Sequence, residues 1–158
     1  MARSKLVERL FWVAGQAVLD WPVRGETAES LARMLQRSGE QIIAHAQKVA
    51  DTPFNRRVLS HIVGIERWGQ SRLQVALGAP LVMDEYNGYR PPRERTLPAL
   101  ISDFEETRSK TIALIDELAQ ENVSFDFTIP HNSYGLLSVR AWLRYLEMHA
   151  RLESRKMK

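Results

Sequence analysis

The sequence predicts an all-α protein, a four-helix bundle with long crossover connections plus an additional N-terminal helix. Three observations carry this. Five stretches place apolar residues at helical spacing. Four of those stretches open on a Thr or Ser suited to capping the first helical turn. Two of the connections are long, a feature of bundles whose helices are not all joined as tight neighbours.

Residues 4–19 carry Leu6, Leu10, Val13, Ala14, Ala17 and Val18 at the spacing of one inward face, and Trp21-Pro22 ends that helix. Thr27 caps a second helix over 28–50, with Leu31, Met34, Leu35, Ile42 and Ala46 inward and Gly39 as a weak point. In Asp51-Thr52-Pro53 the threonine is an N-cap and the proline fits the first helical position, so a helix runs over 53–77 until Gly78-Ala79-Pro80 stops it. Residues 79–96 form a long connection, of a length that is usually functional or an ordered cover. Thr96 then opens a helix over 97–120, with Leu97, Leu100, Ile101, Phe104, Thr107, Thr111, Leu114, Ile115 and Leu118 inward. A second long loop spans 121–136. Its alternation at 123–129 suits a short extended segment, with no evident strand partner. Ser138 opens the last helix, 139–156. The chain reads as a single domain over 1–158, with 1–26 as a helical extension and 27–157 as the bundle.

Composition narrows the function classes. The chain has 158 residues, is 44% hydrophobic and 26% charged, and can bury one substantial core. A formal charge of +3 is a small surplus. The basic residues Arg56, Arg57, Arg67, Arg72, Arg90, Arg93, Arg95 and Arg108 are scattered, and only the tail 151–158 clusters, so no nucleic-acid partner is expected. The absence of cysteine excludes disulfides, thiolate metal sites and a Cys nucleophile, and suits a reducing cytosol. The N-terminus faintly imitates a signal peptide around Arg3, Lys5 and 10–19. Glu8, Arg9 and Gln16 interrupt it, and no cleavage site follows. No apolar run reaches the roughly 18 residues that span a bilayer. The expectation is a cytoplasmic protein without membrane association.

The chemistry lies on two helices. In the last one the apolar stripe Val139, Trp142, Leu143, Leu146 continues into His149, Ala150 and Glu153. His149 and Glu153 are four apart and share that inward face, where an imidazole and a carboxylate need compensation. His61 sits in or beside the stripe Val58, Ile62, Ile65, Trp68, Leu73, Ala76. Two histidines and a carboxylate form a two-His-one-carboxylate set with open positions, suited to Zn, Ni, Mn or Fe. A lone buried ion pair, with His61 as a hydrogen-bonded core residue, is the competing reading.

The segments Asn55-Arg-Arg-Val-Leu-Ser-His61-Ile-Val-Gly-Ile-Glu-Arg-Trp68 and Trp142-Leu-Arg-Tyr-Leu-Glu-Met-His149-Ala-Arg-Leu-Glu153 resemble the DinB-like (DinB/YfiT-type) family of damage-inducible, thiol-transferase-related proteins. The resemblance covers about residues 27–157. It implies a four-helix bundle, often a homodimer, with a divalent metal held by three histidines, one from the second bundle helix and two from an H-x-x-x-H pair on the last. His61 and His149 match two of those positions, and Glu153 replaces the third. Either the metal preference has changed or the metal has been lost. The resemblance further implies a metal-dependent transferase that uses a low-molecular-weight thiol on a small-molecule substrate. The alternative is a non-catalytic bundle that acts through dimerisation or partner binding.

Other polar residues have plainer readings. Glu66 lies about 140° round the helix from His61 and pairs with a base such as Arg72 or one across the bundle. His45 is expected to be partly exposed. His131-Asn132, Tyr86, Tyr89 and Arg90 either line an opening between the two loops or serve turn and packing roles. The four tryptophans, Trp12, Trp21, Trp68 and Trp142, are packing residues at the core or an interface.

Overall fold

The computed structural model describes residues 5–158. Arg3 and Ser4, which figure in the N-terminal expectations, lie outside the described residues. The described chain is mostly helical: α1 (Lys5–Gly15), α2 (Ala28–Ala46), α3 (Pro53–Leu73), α4 (Leu97–Gln120) and α5 (Val139–Ser154). All four expected caps form. The hydroxyls of Thr27, Thr52, Thr96 and Ser138 accept from the backbone N–H three residues on, satisfying donors that the first turn leaves free. Gly78, at φ 94°, ends the 3₁₀ turn that follows α3, in a conformation costly for any residue with a Cβ.

α2 and α3 each pack against both α4 and α5. Their apolar stripes enclose a core in two parts. One gathers Leu31, Leu35, Trp68, Ile115, Trp142 and Leu146. The other gathers Ile42, Leu59, Ile62, Leu100, Phe104 and Ala150. Gly69 allows α3 and α5 to approach closely, since a Cβ there would meet Leu146 Cδ2 at 2.5 Å. Gly39 lies within α2, which runs unbroken through it. It gives room to Arg108, whose Cγ would lie 3.1 Å from a Cβ at that position.

Two expectations are corrected. The loop 121–136 does contain a strand pair: β1 (Thr128–His131) runs antiparallel to β2 (Gly135–Ser138), with His131 opposite Gly135. The turn between them needs a positive φ, 74° at Gly135. The partner strand runs directly into the Ser138 cap, so its short alternation is hidden beside a helix signal.

The second correction concerns α1. The face assigned inward is exposed, with Leu6 69%, Leu10 61% and Val13 51% accessible. The opposite side, Phe11 and Gly15 with Leu19 beyond, docks on the hairpin. Phe11 lies 6.1 Å from the Tyr134 ring, and a Cβ on Gly15 would meet Tyr134 at 3.0 Å. The apolar residues of α1 spread over more than one face, Leu6, Leu10 and Val13 on one side and Phe11 on another, so periodicity alone cannot say which is covered. Polar contacts fix the segment that follows. Arg144 Nε donates to the Val18 carbonyl (2.9 Å), Gln16 Nε2 to the Leu136 carbonyl (3.1 Å), and Ser138 Oγ to Asp20. Among the described residues no helix is long and apolar enough to cross a membrane.

Candidate metal centre

His61 stands midway along α3, and His149 and Glu153 stand on successive turns of α5. Because these helices pack together, residues 88 positions apart in sequence meet: His61 Nε2 lies 3.1 Å from His149 Nε2. One ligand atom from each of His61, His149 and Glu153 lies within 4.8 Å of the others. All three are half-buried, at the rim of the apolar stripe and not in its centre. Rings wall the cluster, with Tyr86 edge-on to His61 at 4.9 Å and Tyr145 at 5.8 Å from His149.

The electrostatics favour neutral imidazoles. Burial pushes the His61 pKa down; Glu153 opposes this, while Arg90 and Lys156 add to it. Burial, then the His61 charge, pushes His149 down to about 4. Burial raises the Glu153 carboxyl, but the hydrogen bond and charge of Lys156, with the two histidines, outweigh it and hold the group below the usual range. At neutral pH the cluster therefore offers two uncharged ring nitrogens and one carboxylate.

This donor set fits a divalent cation. Two nitrogens bound at 2.0–2.1 Å with an angle between 90° and 109° stand about 2.9–3.4 Å apart, and the observed 3.1 Å falls inside that window. Without a cation the same contact is an N–H···N hydrogen bond between two neutral rings. Glu153 lies within reach but is engaged, accepting from Lys156 Nζ at 2.7 Å at the surface. Such a surface pair is worth about 0–1 kcal/mol, so releasing it costs little. One support is missing. Among the described residues His149 Nδ1 is buried without a hydrogen-bond partner, whereas a ligating imidazole ordinarily donates from its second nitrogen.

Of the other residues singled out in the sequence, Glu66 is wholly buried and pairs across the core with Arg108, not Arg72. His45 Nε2 contacts the Met157 carbonyl at 3.3 Å. Arg72 is buried against Trp68, and it ties the crossover to the hairpin through the Asp84 and Pro130 carbonyls and the Asn132 side chain. Trp68 and Trp142 are in the core, while Trp12 and Trp21 are exposed.

His131 is the residue the sequence reading placed least well. It is 7% exposed, not at an opening. Its Nδ1 accepts from the Ser133 and Tyr134 N–H groups, so Nε2 carries the proton, and that atom is buried without a hydrogen-bond partner. The ring sits among Trp68, Trp142 and Tyr145, with centroids at 5.2, 5.0 and 4.7 Å. The hairpin alternation was the available signal, since it turns position 131 inward with Ile129.

Burial first, then the Arg72 and His149 charges, lowers the His131 pKa to about 3. An unfolded histidine takes up a proton below about 6.5, and the folded one does not until about 3. His131 thus contributes stability that is intact above pH 6.5 and is lost as pH falls toward 3. The difference, 6.5 minus 3, is of the order of 5 kcal/mol at about 1.4 kcal/mol per pKa unit. Urea unfolding between pH 7.5 and 4 should show this slope, flattened in His131→Gln; identical slopes in the two proteins would contradict it.

Compared with family models, with curated proteins and with solved structures, the chain matches none of them.

Proposed function

We propose that the chain is a DinB-like four-helix bundle of α2 to α5, cytoplasmic, that holds a divalent metal at His61, His149 and Glu153 and transfers a low-molecular-weight thiol to a small electrophile. The observation that carries this reading is the convergence of two uncharged imidazoles and a carboxylate from two helices within 4.8 Å. The packing of α2 and α3 against both α4 and α5 supports the bundle topology.

His61 and His149 would hold the ion through Nε2, and Glu153 would add the negative charge that neutralises part of it. Zn, Ni, Mn and Fe all accept this set. A divalent cation there supplies Lewis acidity, which favours the anionic form of a thiol at neutral pH. The protein's own groups do the rest. Burial keeps both imidazoles deprotonated, and the Tyr86 and Tyr145 rings narrow the approach and limit water. Lys156 pairs with Glu153 at the surface and would release it for the carboxylate to turn inward. With no cysteine in the chain, the thiol comes from a separate molecule.

The test is thiol transfer. Metal-loaded protein with glutathione, bacillithiol or mycothiol and a chromogenic electrophile should turn over faster than metal-free His61→Ala. Equal rates with all three thiols would remove the transferase while leaving the metal site standing.

The exposed α1 stripe Leu6, Leu10 and Val13 favours a second reading, a bundle that works through a homodimer. Light scattering tests the dimer: a monomer at micromolar concentration removes it.

A further inference from the structure

Four arginines that look scattered in the sequence meet around one cavity. Its volume is about 700 Å³, and it lies between the start of α3 and the crossover that precedes α4. Arg56, Arg57 and Ser60 line one wall, Asn87, Arg90 and Arg93 the other, and no acidic residue lines it. Among the described residues only Arg56 of the four has a carboxylate partner, Asp51 at 2.5 Å. Arg57 lies over the Phe54 ring, and Arg93 has no ion pair among the described residues. Arg90 donates to the Ser60 hydroxyl (3.3 Å) and the Arg57 carbonyl (3.0 Å), both neutral. Three guanidinium charges therefore share one concavity without a counter-charge from the described residues.

Arg90 is held in place. Gly64 on α3 lets the crossover settle against the helix, because a Cβ there would meet Arg90 Cγ at 2.6 Å and the Arg90 backbone at 3.4 Å. The 3₁₀ turn Tyr86–Tyr89 starts at the ring that faces His61, passes Asn87 in the cavity wall, and ends on Arg90. The size suits a small molecule, since ligand sites run about 300–1,000 Å³. Guanidinium forks match the oxygens of phosphate and carboxylate, and unneutralised like charges favour a multiply charged anion. A long nucleic-acid backbone calls for a stripe of charge along an open face, whereas these charges converge inside a hollow.

We propose that this cavity is a binding site for a small doubly charged oxyanion, a phosphomonoester or a dicarboxylate, held by Arg57, Arg90 and Arg93. The site rests on the arginines alone and is independent of the metal.

Calorimetric titration of metal-free, fully dialysed protein at low ionic strength tests it, with phenyl phosphate, succinate and chloride as probes. Saturable binding of at least one dianion is expected, weakened about tenfold or more in Arg57→Ala/Arg93→Ala and unchanged in the remote Arg37→Ala. These side chains are exposed or carry no structural bond, so the double variant should fold; circular dichroism checks this, and Arg90→Lys provides a second, charge-preserving variant that should also weaken binding. Tighter binding of phenyl phosphate assigns a phosphomonoester, and tighter binding of succinate a dicarboxylate. The proposal is overturned if neither binds better than chloride, if the double variant binds as wild type, or if an oligonucleotide binds while no small dianion does.

Discussion

Replacing Glu66 with alanine should destabilise the protein by about 3–5 kcal/mol, the cost of leaving a buried charge without its partner. Glu66 and Arg108 face each other across the core with side chains 1% and 4% exposed. The pairing is bidentate, Arg108 Nε and Nη2 donating to the two carboxylate oxygens at 2.7 and 2.8 Å. Thr111 Oγ1 adds a third donor to the carboxylate at 2.8 Å. The remaining Arg108 nitrogen, Nη1, donates to the Leu35 carbonyl and the Ser38 hydroxyl, tying α2 into the same network. Three helices thus share one satisfied polar cluster, and removing the carboxylate leaves the guanidinium stranded. Urea unfolding monitored by tryptophan fluorescence measures the loss. Glu106→Ala, which cuts the exposed Glu106–Lys110 pair, is the control and should change stability by less than about 1 kcal/mol. The double variant Glu66→Leu/Arg108→Met should recover much of the loss, because apolar residues of similar volume replace a buried pair at little cost. A loss below about 1 kcal/mol in Glu66→Ala would mean that the network carries little of the fold's stability.

Helix starts were legible because a cap is a local event. Thr27, Thr52, Thr96 and Ser138 each need only the next three residues to act, and each caps its helix. The inward stripe of α4 was legible for a similar reason, since Leu97, Leu100, Phe104, Leu114, Ile115 and Leu118 recur at helical spacing and all are buried. α1 was not, because Phe11 and Leu19 stand on one side while Leu6, Leu10 and Val13 stand on the other, and only the hairpin decides which side is covered. The hairpin itself escaped because β2 is four residues long and merges with the cap of α5.

The candidate centre divides along the same line. The spacing of His149 and Glu153 places both on one face of α5 without reference to anything else. Their meeting with His61 depends on how α3 lies on α5, which Gly69 and Leu146 set by close contact. Long-range convergence of this kind leaves no local trace, and the same holds for the arginines of the cavity. Arg57 and Arg90 are 33 positions apart, and they adjoin only because the crossover folds back over Gly64.

The proposed metal centre carries the larger expected functional effect. His61, His149 and Glu153 would bind an ion jointly, so loss of any one should reduce affinity more than the roughly 10–100-fold that losing a supporting residue costs. The histidines should matter most, because their nitrogens already stand 3.1 Å apart, whereas Glu153 must first leave Lys156. Binding should also raise folding stability by about 2.7 kcal/mol when free metal is a hundredfold above its dissociation constant. The most direct measurement is calorimetric titration of untagged, metal-free protein with Zn²⁺ and with Ni²⁺ at pH 7.5, beside His149→Ala. The structure leads us to expect one ion per chain, with binding abolished or reduced more than about 100-fold in the variant. Sub-stoichiometric binding, or binding unchanged in His149→Ala, would contradict the metal centre and leave His61 and His149 as a hydrogen-bonded pair.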